Sequence, residues 1–471
     1  MQITSFPARW TLQSPSHSHF SLISMAKQQE ELQLWQTVAP CEFKGIHEDS
    51  GLAQGLLISA RQSPGFPVLG GQLGHAIANR ATHLMLDYNA QMVNMRYQID
   101  GMWEQLPPLP RDAGDAMLVA AKTLCRMNPA DRKNAQQGKT LAIMGRDKYN
   151  VKIQSQGVPT GERVMLTLDK KDIPFKTLDD LGMRDKMQVQ LKEALNDKGH
   201  MVLISAPKGG GLTTSWTIAL EAADKFISDF QAIEPKGSSE PDIINVSPNY
   251  FGPGAKNDTA RDAVRALSLR EPDVFVMPEL YDDETIKLLH GQTKIEKQVI
   301  SRIVASDAVE ACARLVHNHR AVAKEIVEML SHVTNVRLAR RLCETCRQGF
   351  APPPQLLQKL GIPQGRVAMM YQPFVPPPIE QQVDEKGNPA PIPPCPKCAN
   401  RGYFGRFGIY ELLTVGPKLK DALLKTGDVN KLRQVAKAEG HRNLQDEGIM
   451  AVARGITSLE EMRRIFSSGG K

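Results

Sequence analysis

Nine residues, Ala206-Pro-Lys-Gly-Gly-Gly-Leu-Thr-Thr214, constrain the fold of this chain more than any other stretch. They follow the apolar run His200-Met-Val-Leu-Ile-Ser205 and lead into a helical pattern from Ser215 to Ala223. A short, unbroken apolar run bounded by turn residues suits a parallel-sheet strand buried on both faces. A glycine turn between such a strand and a helix presents backbone N–H groups at a helix N-terminus, which is a cradle for an anion. A second apolar run, Asp273-Val-Phe-Val-Met277, continues the rhythm of an α/β fold.

The loop meets the phosphate-loop pattern GxxxxGK[ST] only in part. Ala206 replaces the first glycine, and Leu212 stands where a phosphate-binding lysine belongs. Gly209, Gly210, Gly211, Thr213 and Thr214 keep the loop small and polar and are the candidate nucleotide-binding residues. A charge-assisted hydrogen bond contributes roughly 1.5–3 kcal/mol, so its loss costs about 10- to 100-fold in affinity. Lys208 has two readings: a replacement charge for the phosphates, or a solvated loop lysine. The second strand runs into Met277-Pro-Glu279, with Asp282, Asp283 and Glu284 beyond. An acidic residue ending a strand adjacent to a phosphate loop can hold magnesium through water or orient the attacking water. Glu279 and Lys208 are therefore the candidate catalytic residues.

Cys343-Glu-Thr-Cys346 and Cys395-Pro-Lys-Cys398 form two chelating hooks. Each CxxC aims two thiolates at one centre, and two hooks complete a tetrahedral four-thiolate zinc site. The gap between them is long for a zinc ribbon, but closure entropy grows slowly with loop length. Non-binding cysteines and a redox pair are the competing readings. The set offers no position for water, so a structural zinc is expected, stapling a proline-rich insertion that cannot build its own core. The other cysteines, Cys41, Cys125 and Cys312, read as ordinary thiols. An odd total of seven points to a reducing compartment.

At 471 residues the chain is too long for one core. Residues 1–62 read as a variable, partly disordered region. Residues 1–25 are rich in Ser and His, lack the apolar block of a secretory signal, and are either disordered or untranslated, with Met25 as the start. Residues 63–170 read as an α+β domain, with a helix from Leu73 to Ala81. Its strands fall at Thr82–Asp87, Val93–Ile99, Tyr149–Gln154 and Arg163–Leu168. Residues 171–336 read as the nucleotide-binding core and 337–412 as the zinc-bearing insertion. Residues 413–471 read as a helical tail with turns at Gly427, Gly440 and Gly455. The formal charge of +7 is dilute at this length, and aromatics are only 6%. No basic stripe with stacking aromatics marks a nucleic-acid surface.

Several further segments carry a resemblance. Arg96-Tyr-Gln-Ile-Asp-Gly101, Gly161-Glu-Arg-Val164, Leu181-Gly-Met183 and Glu271-Pro-Asp-Val-Phe-Val-Met-Pro-Glu279 follow one another in register. Asp283-Glu-Thr285, Gly402-Tyr-Phe-Gly-Arg-Phe-Gly-Ile-Tyr-Glu-Leu-Leu413 and Gly455-Ile-Thr-Ser-Leu-Glu-Glu-Met-Arg-Arg464 complete the series. Together they resemble the ATPases of type II secretion and type IV pilus assembly, from about residue 70 onward. The resemblance implies a PAS-like N-terminal domain, a RecA-like P-loop core, a four-cysteine zinc insertion and a helical C-terminal tail. It also implies a cytoplasmic hexamer, peripheral to the inner membrane, that works with inner-membrane platform proteins. ATP with magnesium is the implied cofactor.

The departures from that family gather at the chemistry. Besides Ala206 and Leu212, the family's acidic pair reads Ile233-Glu-Pro235, keeping Glu234 alone. Its histidine box reads Ser301-Arg-Ile-Val-Ala-Ser-Asp-Ala308, with Val304 at the histidine position. Lys139 and Lys152 stand where the resemblance places nucleotide-reaching arginines; lysine keeps the charge but not the two-pronged donor. Three readings stay open: a divergent working motor, an inactive ring subunit or partner of an intact paralogue, and a nucleic-acid-linked ATPase.

Overall fold

Alternation and continuity in the apolar pattern produce two sheets of different kinds. In Ala81–Tyr88 and Met92–Ile99 buried residues largely alternate with more exposed ones. In Met201–Ala206 all six residues are buried. The computed structural model describes residues 33–46, 49–172, 174–238, 240–382 and 388–467, so the reading of residues 1–25 lies outside them. The chain divides into two compact units, 1–172 and 173–471.

The first unit is built on β1 (Glu42–Gly45), β2 (Ala81–Tyr88), β3 (Met92–Ile99), β4 (Met102–Pro110), β5 (Gln136–Met144), β6 (Asp147–Val158) and β7 (Gly161–Lys170). They form one sheet, ordered β1-β5-β6-β7-β2-β3-β4, and every neighbouring pair is antiparallel. Helices Ser50–Arg61, Phe66–Ala78 and Arg111–Leu124 share its core. This is the α+β arrangement expected, but β1, β4 and β5 were not anticipated. Pro107, Pro108 and Pro110 make β4 look unlike a strand, yet it lies at the sheet edge, where missing N–H donors are tolerated.

The helix expected from Leu73 to Ala81 begins at Phe66 and ends at Ala78. Its glycine-rich first half lies outside the expected span, and the helix glycines have a packing reason. A Cβ on Gly71 would lie 2.6 Å from the Trp35 ring, and one on Gly74 would lie 2.4 Å from the Ala39 carbonyl oxygen. Cys41 N–H donates to Gly70 O at 2.9 Å as the chain crosses this face. Residues 35–45, which carry no motif, are thus laid against a helix stripped of side chains to receive them.

The second unit holds β8 (Met201–Ala206), β9 (Phe230–Pro235), β10 (Val246–Phe251), β11 (Val274–Met277), β12 (Gln298–Val304), β13 (Leu330–Leu342) and β16 (Tyr403–Thr414). The order is β10-β9-β11-β12-β8-β13-β16, parallel throughout except for the antiparallel β16. Apolar residues fill both faces: Leu203, Phe275 and Val299 on one, Ile204, Val276 and Ile300 on the other. β12 lies between β8 and β11, so the Glu279 strand is one strand further from the loop than expected. Both strands still run parallel and open on the same edge.

β13 and β16 are long members of this sheet, and the chain between them makes the excursion that carries the cysteines. Its described residues hold the short pair β14 (Gln348–Phe350) and β15 (Met370–Gln372), the helix Pro354–Lys359 and a single 3-10 turn, Ile379–Gln381. The tail is helical as expected, over Pro417–Lys425, Val429–Ala438, Leu444–Ala453 and Leu459–Ser467, with Gly427, Gly440 and Gly455 in the breaks. No helix among the described residues is long and apolar enough to cross a membrane.

Candidate functional site

The glycine loop joins β8 to the helix Leu212–Ala222, which starts three residues before the expected Ser215. Gly210 N–H donates to Pro207 O at 2.8 Å, closing a turn. Gly209 and Gly211 have φ of 69° and 96°, which side-chain-bearing residues rarely adopt. Gly211 is the helix N-cap, so the loop presents bare backbone N–H groups at the dipole's positive end. Thr213 is exposed and Thr214 half-buried.

Leu212 does not project as a lysine reaching for phosphate would. Half-buried, it packs against the apolar cluster that holds Trp216, Val336 and Tyr410. Lys208 is exposed in the loop and has no ion-pair partner among the described residues. Beneath the loop lies a buried polar ladder that sequence reasoning missed. Ser205 Oγ donates to Thr334 O at 2.8 Å, and Asn335 Nδ2 donates to Ser205 Oγ at 2.8 Å and to Ala305 O at 3.2 Å. These bonds tie β8, β13 and the end of β12 together. Val304 is the register partner of Ala206, so an apolar side chain sits beside the loop's first residue.

Charge does gather at this edge, on residues not singled out before. Arg302 of β12 forms a two-pronged ion pair with Glu240: Nη1 donates to Oε2 at 2.9 Å and Nη2 to Oε1. Its guanidinium lies 5.2 Å from the centre of the Trp216 ring on the loop's helix. Both side chains are largely buried, Arg302 at 19% and Glu240 at 15% exposure. Glu234, at the end of β9, accepts from Ser238 Oγ at 2.7 Å. Burial pushes the Glu234 carboxyl up, Ser238 opposes this, Glu240 adds to it and Arg302 offsets it. Burial and the charges of Glu279, Glu240 and Glu234 push the Tyr281 phenol up while Arg302 pulls it down, so all four act on one hydroxyl. Glu279 itself is exposed. Both oxygens of Glu240 are engaged by the arginine, which already balances its charge. The one signal for this pair was a charged residue in a strand whose other polar residues, Gln298 and Ser301, are uncharged.

Lys139 and Lys152 belong to the first unit and are direct cross-strand partners on β5 and β6. Like charges directly opposite repel, so the two lysines gain nothing from each other.

The four cysteines come together. Their sulfurs all lie within 4.8 Å of one another, with Cys343–Cys395 at 3.8 Å and Cys346–Cys398 at 3.5 Å. Sulfurs held at about 2.3 Å by one tetrahedral ion are about 3.8 Å apart, whereas a disulfide requires about 2.05 Å. Three of the four cysteines are buried. The cluster has the donor set and spacing of a structural metal site.

A parallel sheet with a glycine loop at its C-terminal edge, in a chain that also carries an α+β unit and a four-cysteine cluster, defines a P-loop-type α/β protein. The profile of the family described as "Type II/IV secretion system protein" matches residues 60–464, and the chain belongs to that family. It is 26% identical over 390 residues to a type IV pilus assembly ATPase, PilB, of Thermus thermophilus, covering 82% of this chain and 41% of that protein. It is 23% identical over 427 residues to the type II secretion system ATPase E of Vibrio cholerae, covering 90% of this chain and 80% of that one. The chain spans 41% and 64% of the lengths of the PilB proteins of T. thermophilus and Acinetobacter baylyi. Among solved structures, the Legionella pneumophila ATPase DotB has a similar fold, with a TM-score of 0.53 and 12% identity over 85% of this chain and 96% of that one.

Proposed function

We propose that this chain is a ring subunit of a type II secretion or type IV pilus assembly machine, and that its own nucleotide site binds ATP weakly without hydrolysing it. The ring is a hexamer, of one chain or mixed with an intact paralogue. It stands on the cytoplasmic face of the inner membrane and acts on membrane platform proteins. Family membership and the names of the relatives support the machine. The observation that carries the inactive site is Leu212, which sits at the lysine position and packs into an apolar cluster. Lys139, Lys152, Gly209, Gly210, Gly211, Thr213 and Thr214 are the nucleotide contacts in this reading. The ion in the cysteine cluster is zinc, which suits four thiolates in tetrahedral array and has no redox role here.

ATP affinity and turnover of the purified full chain test the proposal. The natural protein is expected to show no turnover above background, and Leu212→Lys to bind ATP about 10- to 100-fold more tightly. Turnover in the natural protein that Lys208→Ala abolishes would establish a working motor instead, with Lys208 and Glu279 as its catalytic residues.

A further inference from the structure

We propose that Arg302 is a built-in cation of the nucleotide site, paired with Glu240 in place of a divalent metal, so that nucleotide binding here is independent of magnesium. The inference rests on the reading that the glycine loop binds nucleotide, but it concerns a separate group and has a separate test.

Three features of the geometry carry it. The first is position: β12 lies between β8, which ends in the glycine loop, and β11, which leads to Glu279. Arg302 stands two residues before the end of β12 and stacks on Trp216, so its guanidinium lies on the side of the sheet covered by the loop's helix. The second is prior engagement. Magnesium is held through one or two carboxylates with water completing an octahedron, and both oxygens of Glu240 already accept from Arg302. Glu234 Oε2 accepts from Ser238. The third is permanence. A guanidinium stays protonated at any pH a protein survives, and its planar fork matches one carboxylate with two parallel bonds. Stacking on the aromatic face of Trp216 holds it while partly desolvated.

The consequence is a change in how charge is balanced. In a metal-dependent site the acidic edge is empty of cations until nucleotide brings magnesium with it. Here the edge already holds its counter-ion, and a divalent ion entering beside Arg302 meets like charge at short range. The loop's backbone N–H groups remain to meet the phosphates.

Manganese stands in for magnesium as a paramagnetic probe. The full-length natural protein is expected to bind no manganese by electron paramagnetic resonance, and its ATP affinity by calorimetry is expected to agree within about twofold in magnesium and in EDTA. Arg302→Met, which removes the charge but keeps bulk against Trp216, is expected to bind manganese and to make ATP affinity fall at least about tenfold in EDTA. Arg302→Lys keeps a cation and is expected to behave like the natural protein. Manganese bound by the natural protein, or equally by it and Arg302→Met, overturns the inference. So does a tenfold loss of natural-protein affinity in EDTA. If no ATP binds under any condition, the nucleotide reading fails, and the manganese arm still decides whether Arg302 excludes a metal. If Arg302→Met does not fold, the natural protein alone decides by the same two measurements.

Discussion

Lys122 Nζ lies 2.6 Å from Glu162 Oε1, and the two side chains are 0% and 2% exposed. The lysine also donates to Asp131 O at 2.7 Å, so the pair fastens the helix Arg111–Leu124 to the start of β7 and to the loop that precedes β5. Removing one partner of a buried pair leaves an uncompensated charge. Glu162→Gln is therefore expected to destabilise the protein by about 3–5 kcal/mol. Urea unfolding, followed by a probe in the first unit, checks this; a loss below about 1 kcal/mol would contradict the assignment.

Ser215 and Tyr410 share a buried hydrogen bond of 2.7 Å that links the loop's helix to β16. Tyr410→Phe deletes one partner and strands the other, for an expected cost of about 1–3 kcal/mol. Adding Ser215→Ala to Tyr410→Phe is expected to cost less than the sum of the two single changes, because the stranded hydroxyl is gone. A double-mutant cycle on chemical denaturation gives the coupling directly.

The cysteine cluster is expected to carry about one zinc per chain when the protein is purified without chelator. Cys398→Ser is expected to lower that content well below one and to make the excursion between β13 and β16 sensitive to proteases. Atomic emission on the two proteins, with limited proteolysis alongside, provides the check. Full metal content in the variant would count against the site.

Glu461 sets a stability change in acid. Burial raises its carboxyl, but bonds from Arg464 and from the side chain and backbone N–H of Arg340 outweigh that, and the net direction is down. A carboxyl held below its unfolded value of about 4.3 stabilises the fold above that pH and loses the contribution as pH falls through the folded value. The natural protein is expected to exceed Glu461→Gln in thermal midpoint at neutral pH, with the gap closing below about pH 4. A gap that stays constant across this range would remove Glu461 as the cause.

The readable parts of the sequence are those whose cause is local. An unbroken apolar run showed β8, paired CxxC hooks showed the metal cluster, and glycines at 427, 440 and 455 showed where the tail turns. The rest depends on partners far along the chain. Gly71 and Gly74 make sense only once Trp35 and Ala39 lie across them. The prolines of β4 fit a strand only because the sheet ends there. Arg302 could be seen as the one charge in its strand, but its partner Glu240 is 62 residues away in a connection between β9 and β10. Leu212 was legible as a missing charge; that it fills apolar space required the neighbouring elements.

The cysteine cluster sits at the open end of the β13–β16 pair, where Leu342 is in register with Tyr403 across roughly 60 residues of intervening chain. An ion gripping Cys343 and Cys398 leaves only a few residues of free contour on either side of that register. Zipping of the two strands then resembles hairpin formation, the kind of near-neighbour pairing that assembles quickly. Metal supply during synthesis would thus govern how fast the sheet acquires its antiparallel edge.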